Sequence, residues 1–268
     1  MTKKERGYLT ELYYFALSFF VYGFLGWCTE VAYAAAKQGK FVNRGFLNGP
    51  ICPVYGIGVG VVVQFLTPVE NNLVLLYISS TILVTVIEGI TGFLLEKIFH
   101  NKWWDYSEQP LNIGGYVCVL FSLIWGVFCV LIVKIIHPLI YKVLTMIPLV
   151  LGIAVMACLA VGLLADLYVT ASGILKMNRR LEAMEKIAAE LKELSDKVGE
   201  NIYENVMEGM EFREEKKARI EELKAKYEEM AENRTKVGER LVKAFPKMQV
   251  GQHKEIFEEL RERIKRSK

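Results

Sequence analysis

Histidine and proline are scarce in this chain, its cysteines are unpaired, and its first two thirds hold little charge. Three histidines and seven prolines occur in 268 residues. His100, His137 and His253 are scattered and read as interface or surface residues, so no His-rich metal or acid–base cluster forms. Cys28, Cys52, Cys118, Cys129 and Cys158 fall in or beside apolar runs without C-x-x-C spacing. That excludes a zinc or disulfide framework and leaves small apolar packing residues. No G-x-x-x-x-G-K-[ST] run is present, so any use of ATP depends on a separate subunit. A formal net charge of +3 gives no reason to expect nucleic acid as a partner. No metal, cofactor or catalytic nucleophile is expected.

What is there is apolar. The chain is 53% hydrophobic with a mean hydropathy of +0.26, above an ordinary soluble domain. From Lys176 onward lie 44 of its 63 charged side chains, which leaves residues 1–175 as a polytopic transmembrane domain and 176–268 as a charged helical tail. Hydropathy gives five spans, about 10–36, 51–68, 72–97, 114–137 and 145–174, each near the ~20 residues that a bilayer requires. The second is the shortest and carries Gly56, Gly58 and Gly60; a tilted span or a re-entrant segment both fit it. The fold class is thus all-α integral membrane protein, with about five transmembrane helices, a duplicated helix-loop-helix unit and a coiled-coil-like tail.

Loop charges set the expected orientation. Lys37, Lys40 and Arg44 mark the first loop, Lys97 and Lys102 the third, and Lys176, Arg179 and Arg180 follow the last span, while the second loop has no Lys or Arg. This puts the N-terminus outside and the tail in the cytoplasm, with Lys3, Lys4, Arg6, Lys134 and Lys142 on the disfavoured side. The basic start and Ala34-Ala35-Ala36 imitate a signal peptide, but the apolar run exceeds the usual 7–15 residues and reads as a span. In the tail, Leu181, Met184, Ala188, Leu191, Val198 and Ile202 recur at three-and-four spacing, weakened by Gly199 and Gly209. The pattern resumes at Ile220, Leu223, Tyr227 and Met230, breaks at Pro246 and Gly251, and ends with Ile256, Leu260 and Ile264. It fits a self-associating helical tail, a helical hairpin, or a docking arm for a cytosolic partner.

Two acids stand inside apolar spans. Glu30 is followed by Leu47-Asn48-Gly49-Pro50-Ile51-Cys52, and Glu88 by Leu111-Asn112-Ile113-Gly114-Gly115-Tyr116-Val117-Cys118. A carboxylate at membrane depth costs about 2.5–3.5 kcal/mol on insertion scales, so it is expected to face a polar interior. Asp166 falls at the same depth in the fifth span. Gly92 lies one turn beyond Glu88 and permits close helix approach; Glu96, beside Lys97, reads as an interfacial charge. Pro50 or Pro53 suits a first helical turn, and a helix start beside Tyr55 and Gly56 presents unpaired N–H groups to a carboxylate or anion. Trp103, Trp104 and Tyr106 suit the headgroup layer, with Asp105 capping the turn or facing the polar site. The candidate substrate- or ion-binding residues are therefore Glu30, Asn48, Tyr55, Glu88, Asp105, Asn112 and Asp166. Gly49, Pro50, Pro53, Gly56, Gly92, Trp103, Trp104, Tyr106, Gly115 and Trp125 are read as loop or packing residues.

Taken together, Glu30, the run Arg44-Gly45-Phe46-Leu47-Asn48-Gly49-Pro50-Ile51-Cys52-Pro53-Val54-Tyr55-Gly56, Glu88-Gly89-Ile90-Thr91-Gly92, Trp103-Trp104-Asp105-Tyr106-Ser107, Leu111-Asn112 and Trp125-Gly126 resemble a family of bacterial membrane proteins. The family is that of putative ABC-transporter permeases of type IV (CmpB-like), and the resemblance covers roughly residues 15–135. It implies a multi-pass protein of the bacterial plasma membrane with a role in solute transport. A pathway through five spans requires a homo-oligomer, and a separate ATPase or other cytosolic subunit would dock on 176–268. Two other classes stand beside transport: a membrane-anchored scaffold or regulator acting through the tail, and an interfacial lipid-modifying enzyme. For the enzyme the sequence offers carboxylates with Asn and Tyr nearby but no nucleophile constellation.

Overall fold

The structure, a computed structural model, describes residues 3–204, 210–233, 235–251 and 253–266, with backbone alone for 3–8, 198–204 and 210–213. Gly209 lies outside the described residues, as do the side chains of Val198 and Ile202. The chain divides into two units, one comprising Met1–Ala171 with Lys243–Gln249, the other Ser172–Val242 with Val250–Lys268.

The first unit is an all-α membrane protein. Its helices are α1 (Lys3–Gln38), α2 (Pro53–Leu66), α3 (Leu73–Phe99), α4 (Val119–Leu131), α5 (His137–Leu144) and the first part of α6 (Leu149–Glu204). Among the described residues four stretches are long and apolar enough to cross a bilayer: Leu9–Gln38, Leu73–Phe99, Val119–Thr145 and Leu149–Lys197. The second expected span is the shorter segment Pro53–Val69. The 14 residues of α2 rise about 21 Å, and the 3₁₀ turn at Thr67–Val69 adds about 6 Å. The segment thus falls a little short of a ~30 Å hydrocarbon core.

The fourth span begins later than its hydropathy implies, because residues 112–118 form a tight hairpin. Asn112–Ile113 pairs antiparallel with Val117–Cys118. Its turn passes through Gly114 and Gly115 at φ +60° and +72°, a left-handed conformation that glycine adopts freely. Between α4 and α5 the backbone widens into a π turn at Ile132–Ile136. Pro138, at the start of α5, offers no N–H to the carbonyl four residues back, which breaks the α-helical ladder there.

The sequence of α1 and α2 returns in α3 and α4 at a shift of 66 positions. Gly23 lies against Ile51 and Gly89 against Val117; Gly60 lies against the Phe15 ring and Gly126 against the Thr81 hydroxyl. Each pair of contacts differs by the same 66 residues. The second helix of each hairpin is preceded by an extended N-cap cysteine, Cys52 or Cys118. The two antiparallel hairpins meet in a core of Val62, Leu66, Leu76, Cys129 and Val133. Helix α6 adds to them along a narrow stripe, with Gly152 against the Tyr13 ring, while Val150, Val161, Leu164 and Tyr168 remain exposed, a surface suited to lipid.

The second unit contains the distal part of α6, α7 (Met210–Glu232), most of α8 (Lys236–Ala244) and α9 (Lys254–Arg266). The helix α6 runs through Gly199 without a break. The tail folds back on itself as the hairpin alternative requires. Arg219 of α7 reaches Glu190 of α6 at 3.1 Å, and Arg263 of α9 reaches Glu228 of α7 at 2.6 Å. Such exposed pairs fix register more than they stabilise. The unit is held instead by Leu181, Met184, Leu223, Leu241 and Phe257, all nearly inaccessible.

The close helix approach is open to measurement. A Cβ at Gly26 would overlap the Tyr55 ring, whereas one at Gly162 meets nothing within 4 Å. Gly26→Ala should lower stability by about 1–3 kcal/mol, and Gly162→Ala should leave it unchanged or raise it by up to about 1 kcal/mol. Thermal unfolding of the detergent-solubilised protein compares the two.

Candidate functional site

The acids, the two polar loops and their tyrosines gather at one end of the membrane unit. Glu30, near the end of α1, accepts a hydrogen bond from the Tyr55 hydroxyl at 2.7 Å and pairs with Arg44 Nε at 3.2 Å. The Arg44 guanidinium also lies 5.0 Å from the centre of the Tyr33 ring. Tyr55 enters from the first turn of α2 and stands edge-on to Trp125 of α4, 5.8 Å away. Glu88, in α3, faces the Tyr106 hydroxyl at 3.4 Å, and Tyr106 stacks obliquely on Phe121 at 5.2 Å.

Tyr106 senses both acids electrostatically but touches only Glu88. Burial raises its hydroxyl pKa, and the charges of Glu88 and, at longer range, Glu30 add to that shift. Each acid is thus paired with a tyrosine of its own hairpin, Glu30 with Tyr55 and Glu88 with Tyr106. Their electrostatic situations differ. Glu30 has a built-in cation, and both members of that pair are about 30% exposed. Glu88 has a single long hydrogen bond and no ion pair among the described residues. Of the seven candidates it is the acid with the most capacity left for a proton, a cation or a basic substrate group.

Asp166 does a different job. Its carboxylate accepts from the backbone N–H groups of Asn48 and Gly49 at 3.1 and 2.6 Å, from Asn48 Nδ2 at 2.8 Å and from the Thr170 hydroxyl at 3.2 Å. Asn48 donates to Thr170 Oγ1 as well, at 3.0 Å. Asp166 thereby fastens the first loop to α6, and its acceptors are occupied. Gly49 must be small here, since a Cβ would sit 3.1 Å from Asp166 Oδ2. Pro50 follows in the loop, and Pro53 opens α2 as its first residue.

In the second loop Asp105 and Asn112 are likewise supplied with partners. Asp105 pairs with Lys102 at 2.9 Å, accepts from the Ser107 backbone and hydroxyl at 3.0 and 2.6 Å, and accepts from Gln249 at 3.0 Å. Asn112 donates to the carbonyls of Ser107 and Gln109 and accepts from the Gly115 N–H. Trp103 is buried among Phe46, Phe99 and Phe245. Trp104 donates to the Tyr116 carbonyl at 2.9 Å and rests with Tyr116 against Gly92. Gly56 seats the Phe19 ring and backbone.

Arg44, which the sequence offered only as a loop charge, is thus a member of the site, and so is Thr170. The repeat register also differs from the one suggested by the two loops. Gly23-Phe24-Leu25-Gly26-Trp27-Cys28-Thr29-Glu30 corresponds to Gly89-Ile90-Thr91-Gly92-Phe93-Leu94-Leu95-Glu96. The counterpart of Glu30 is Glu96, and Glu88 occupies the position of Tyr22. The shared pattern Gly-x-x-Gly-aromatic-x-x-Glu carries that signal in the sequence. The loops obscured it, since their Leu-Asn pairs are offset by 64 residues while Cys52 and Cys118 are offset by 66.

The profile of a family described as putative ABC-transporter type IV matches residues 17–171, which is more than half of the chain and includes every candidate residue. No curated protein and no solved structure matched.

Two outcomes test this geometry. Asp166→Asn replaces an acceptor-only carboxylate with a group that must present N–H to donors, and should cost about 1–3 kcal/mol in thermal unfolding. For Asp105, burial alone would raise the pKa, but the Ser107 and Lys102 hydrogen bonds override it and hold the group at about 2. A folded pKa below the unfolded value of about 3.8 gives stability that is fully present above that value and lost as pH falls through 2. Carboxyl NMR titration of the folded protein should place Asp105 near 2, and Asp105→Asn should abolish that acid-side contribution.

Proposed function

Because the chain belongs to the family described as putative ABC-transporter type IV, we propose that it is the membrane permease component of a transporter for a small solute. The observation that carries this reading is the packing of Tyr55, the partner of Glu30, against Trp125 of the second hairpin, which also carries Glu88. Hairpins repeated with the same polarity around a central site are a recurring transporter plan. Glu88, lacking a cation of its own, takes the proton, metal cation or basic substrate group, and Glu30–Arg44 supplies a fixed, neutralised wall beside it. Carboxylates inside a membrane mark ion and substrate pathways by default. The loops at Asn48 and Asn112 lie on the cytoplasmic face together with the tail, and the N-terminus lies outside.

The sequence has no ATP-binding loop of its own, so the reading requires a separate ATPase subunit and more than one copy of this chain. The tail's self-contained helical unit suits it to docking such a partner; the same feature favours a scaffold role if no ATPase is found. Purification of the full-length tagged protein from its native membrane, with mass spectrometry of what it retains, should recover a nucleotide-binding subunit in comparable amount. Recovery of this chain with no ATP-binding partner would sink the permease reading. In a cell whose phenotype depends on the protein, Glu88→Gln should reduce function at least about tenfold while leaving protein level unchanged. Full activity of both Glu88→Gln and Glu30→Gln would remove the shared site.

A further inference from the structure

The repeat puts Glu96 where the first hairpin has Glu30, but with different surroundings. Glu30 has its cation built in, with Arg44 at 3.2 Å and the guanidinium over the Tyr33 ring. The counterpart of Arg44 is Pro110 at a shift of 66 and Glu108 at the loops' own shift of 64, and neither is a cation. The charge of Glu96 acts on the nearby Tyr116 hydroxyl, and its own Oε2 is buried without any hydrogen-bond partner. A buried carboxylate oxygen left unsatisfied is costly, more so than a neutral acceptor.

The local lysines do not fill the gap. Lys102 is committed to Asp105 at 2.9 Å, with its Nζ 5.1 Å from the centre of the Tyr116 ring. Lys97 points over the Phe93 ring at 5.7 Å. One helical turn before Glu96 the same face of α3 is covered by aromatic rings. Trp104 and Tyr116 both press on Gly92; a Cβ there would lie 3.1 Å from each ring. The Trp104 indole is fixed by its bond to the Tyr116 carbonyl, and Phe93 stands edge-on to Tyr116 at 6.4 Å. A carboxylate beside two anchored rings is the combination that recognises ammonium and guanidinium groups, because ring faces attract cations and the acid neutralises them.

We propose that Glu96, Trp104 and Tyr116 form a binding site for an organic cation, an ammonium or guanidinium group that takes the place Arg44 fills in the first hairpin. The group is carried by a zwitterionic lipid headgroup or by a free amine. The site stands apart from Glu30 and Glu88 and does not depend on the transport reading.

The test uses the full-length protein in an uncharged maltoside detergent. Equilibrium dialysis with radiolabelled tetramethylammonium, against a sodium chloride control, measures the free cation. Native mass spectrometry after purification measures retained phosphatidylcholine and phosphatidylethanolamine, with phosphatidylglycerol as the anionic comparison. Saturable tetramethylammonium binding, weakened at least about tenfold in Glu96→Gln and in Trp104→Leu, supports a free-amine ligand. Selective retention of the zwitterionic lipids, lost in the same variants, supports the lipid headgroup. Trp104→Leu keeps the charge and removes only a ring, so it carries the comparison should Glu96→Gln not fold. Absence of both kinds of binding in the wild-type protein, or equal binding by Glu96→Gln, overturns the proposal.

Discussion

A carboxylate at the edge of a bilayer has to be given hydrogen-bond donors by the protein, and the polar end of the membrane unit is organised by that requirement. Water cannot serve fully there, and the cost of an unsatisfied charge exceeds that of any neighbouring packing error. Glu30 draws Arg44 and Tyr55 together, and so closes the first loop over the start of α2. Asp166 draws in Asn48, Gly49 and Thr170, and so ties that loop to α6. Asp105 orders the second loop through Lys102 and Ser107. The irregular backbone between the helices is held mainly by these acids.

Donor supply also separates the acids by role. Where both oxygens are held by several donors, as at Asp166, the group is architectural. Where donors are few, as at Glu88 with its single 3.4 Å contact, chemistry has room to enter. Tyrosine suits this setting because its hydroxyl donates without bringing a second charge, and its ring packs among apolar side chains. Tyr55 against Trp125 and Tyr106 against Phe121 show both properties at once.

The all-α membrane class and the apolar segments were legible because hydropathy and length are properties of composition along one helix. The boundary at Val119 was not, since Tyr116-Val117-Cys118 is apolar enough to prolong a span, and only the left-handed Gly114 and Gly115 bend it into a hairpin. Glu30 and Glu88 stood out as charges in apolar runs, and each has a tyrosine hydroxyl for a partner. The partnership of Glu30 with Arg44 was hidden by the 14 positions that separate them, because loop geometry has no sequence period. Asp166 reaching Asn48 crosses 118 positions, a contact that only tertiary structure brings about. The repeat itself was sensed through its loops but misregistered, since loops accept insertions that packed glycines do not.

Each repeated unit is an antiparallel helix pair, so the second copy starts at the same end as the first. The chain therefore has the arrangement of a symmetric dimer of hairpins whose two members have been joined end to end. In such a dimer every position is mirrored, and an arginine at one Glu would appear at both. Covalent fusion removes that constraint. Once both loops belong to a single polypeptide they can differ, and one repeated surface yields two unlike polar environments, one of them closed by its own cation.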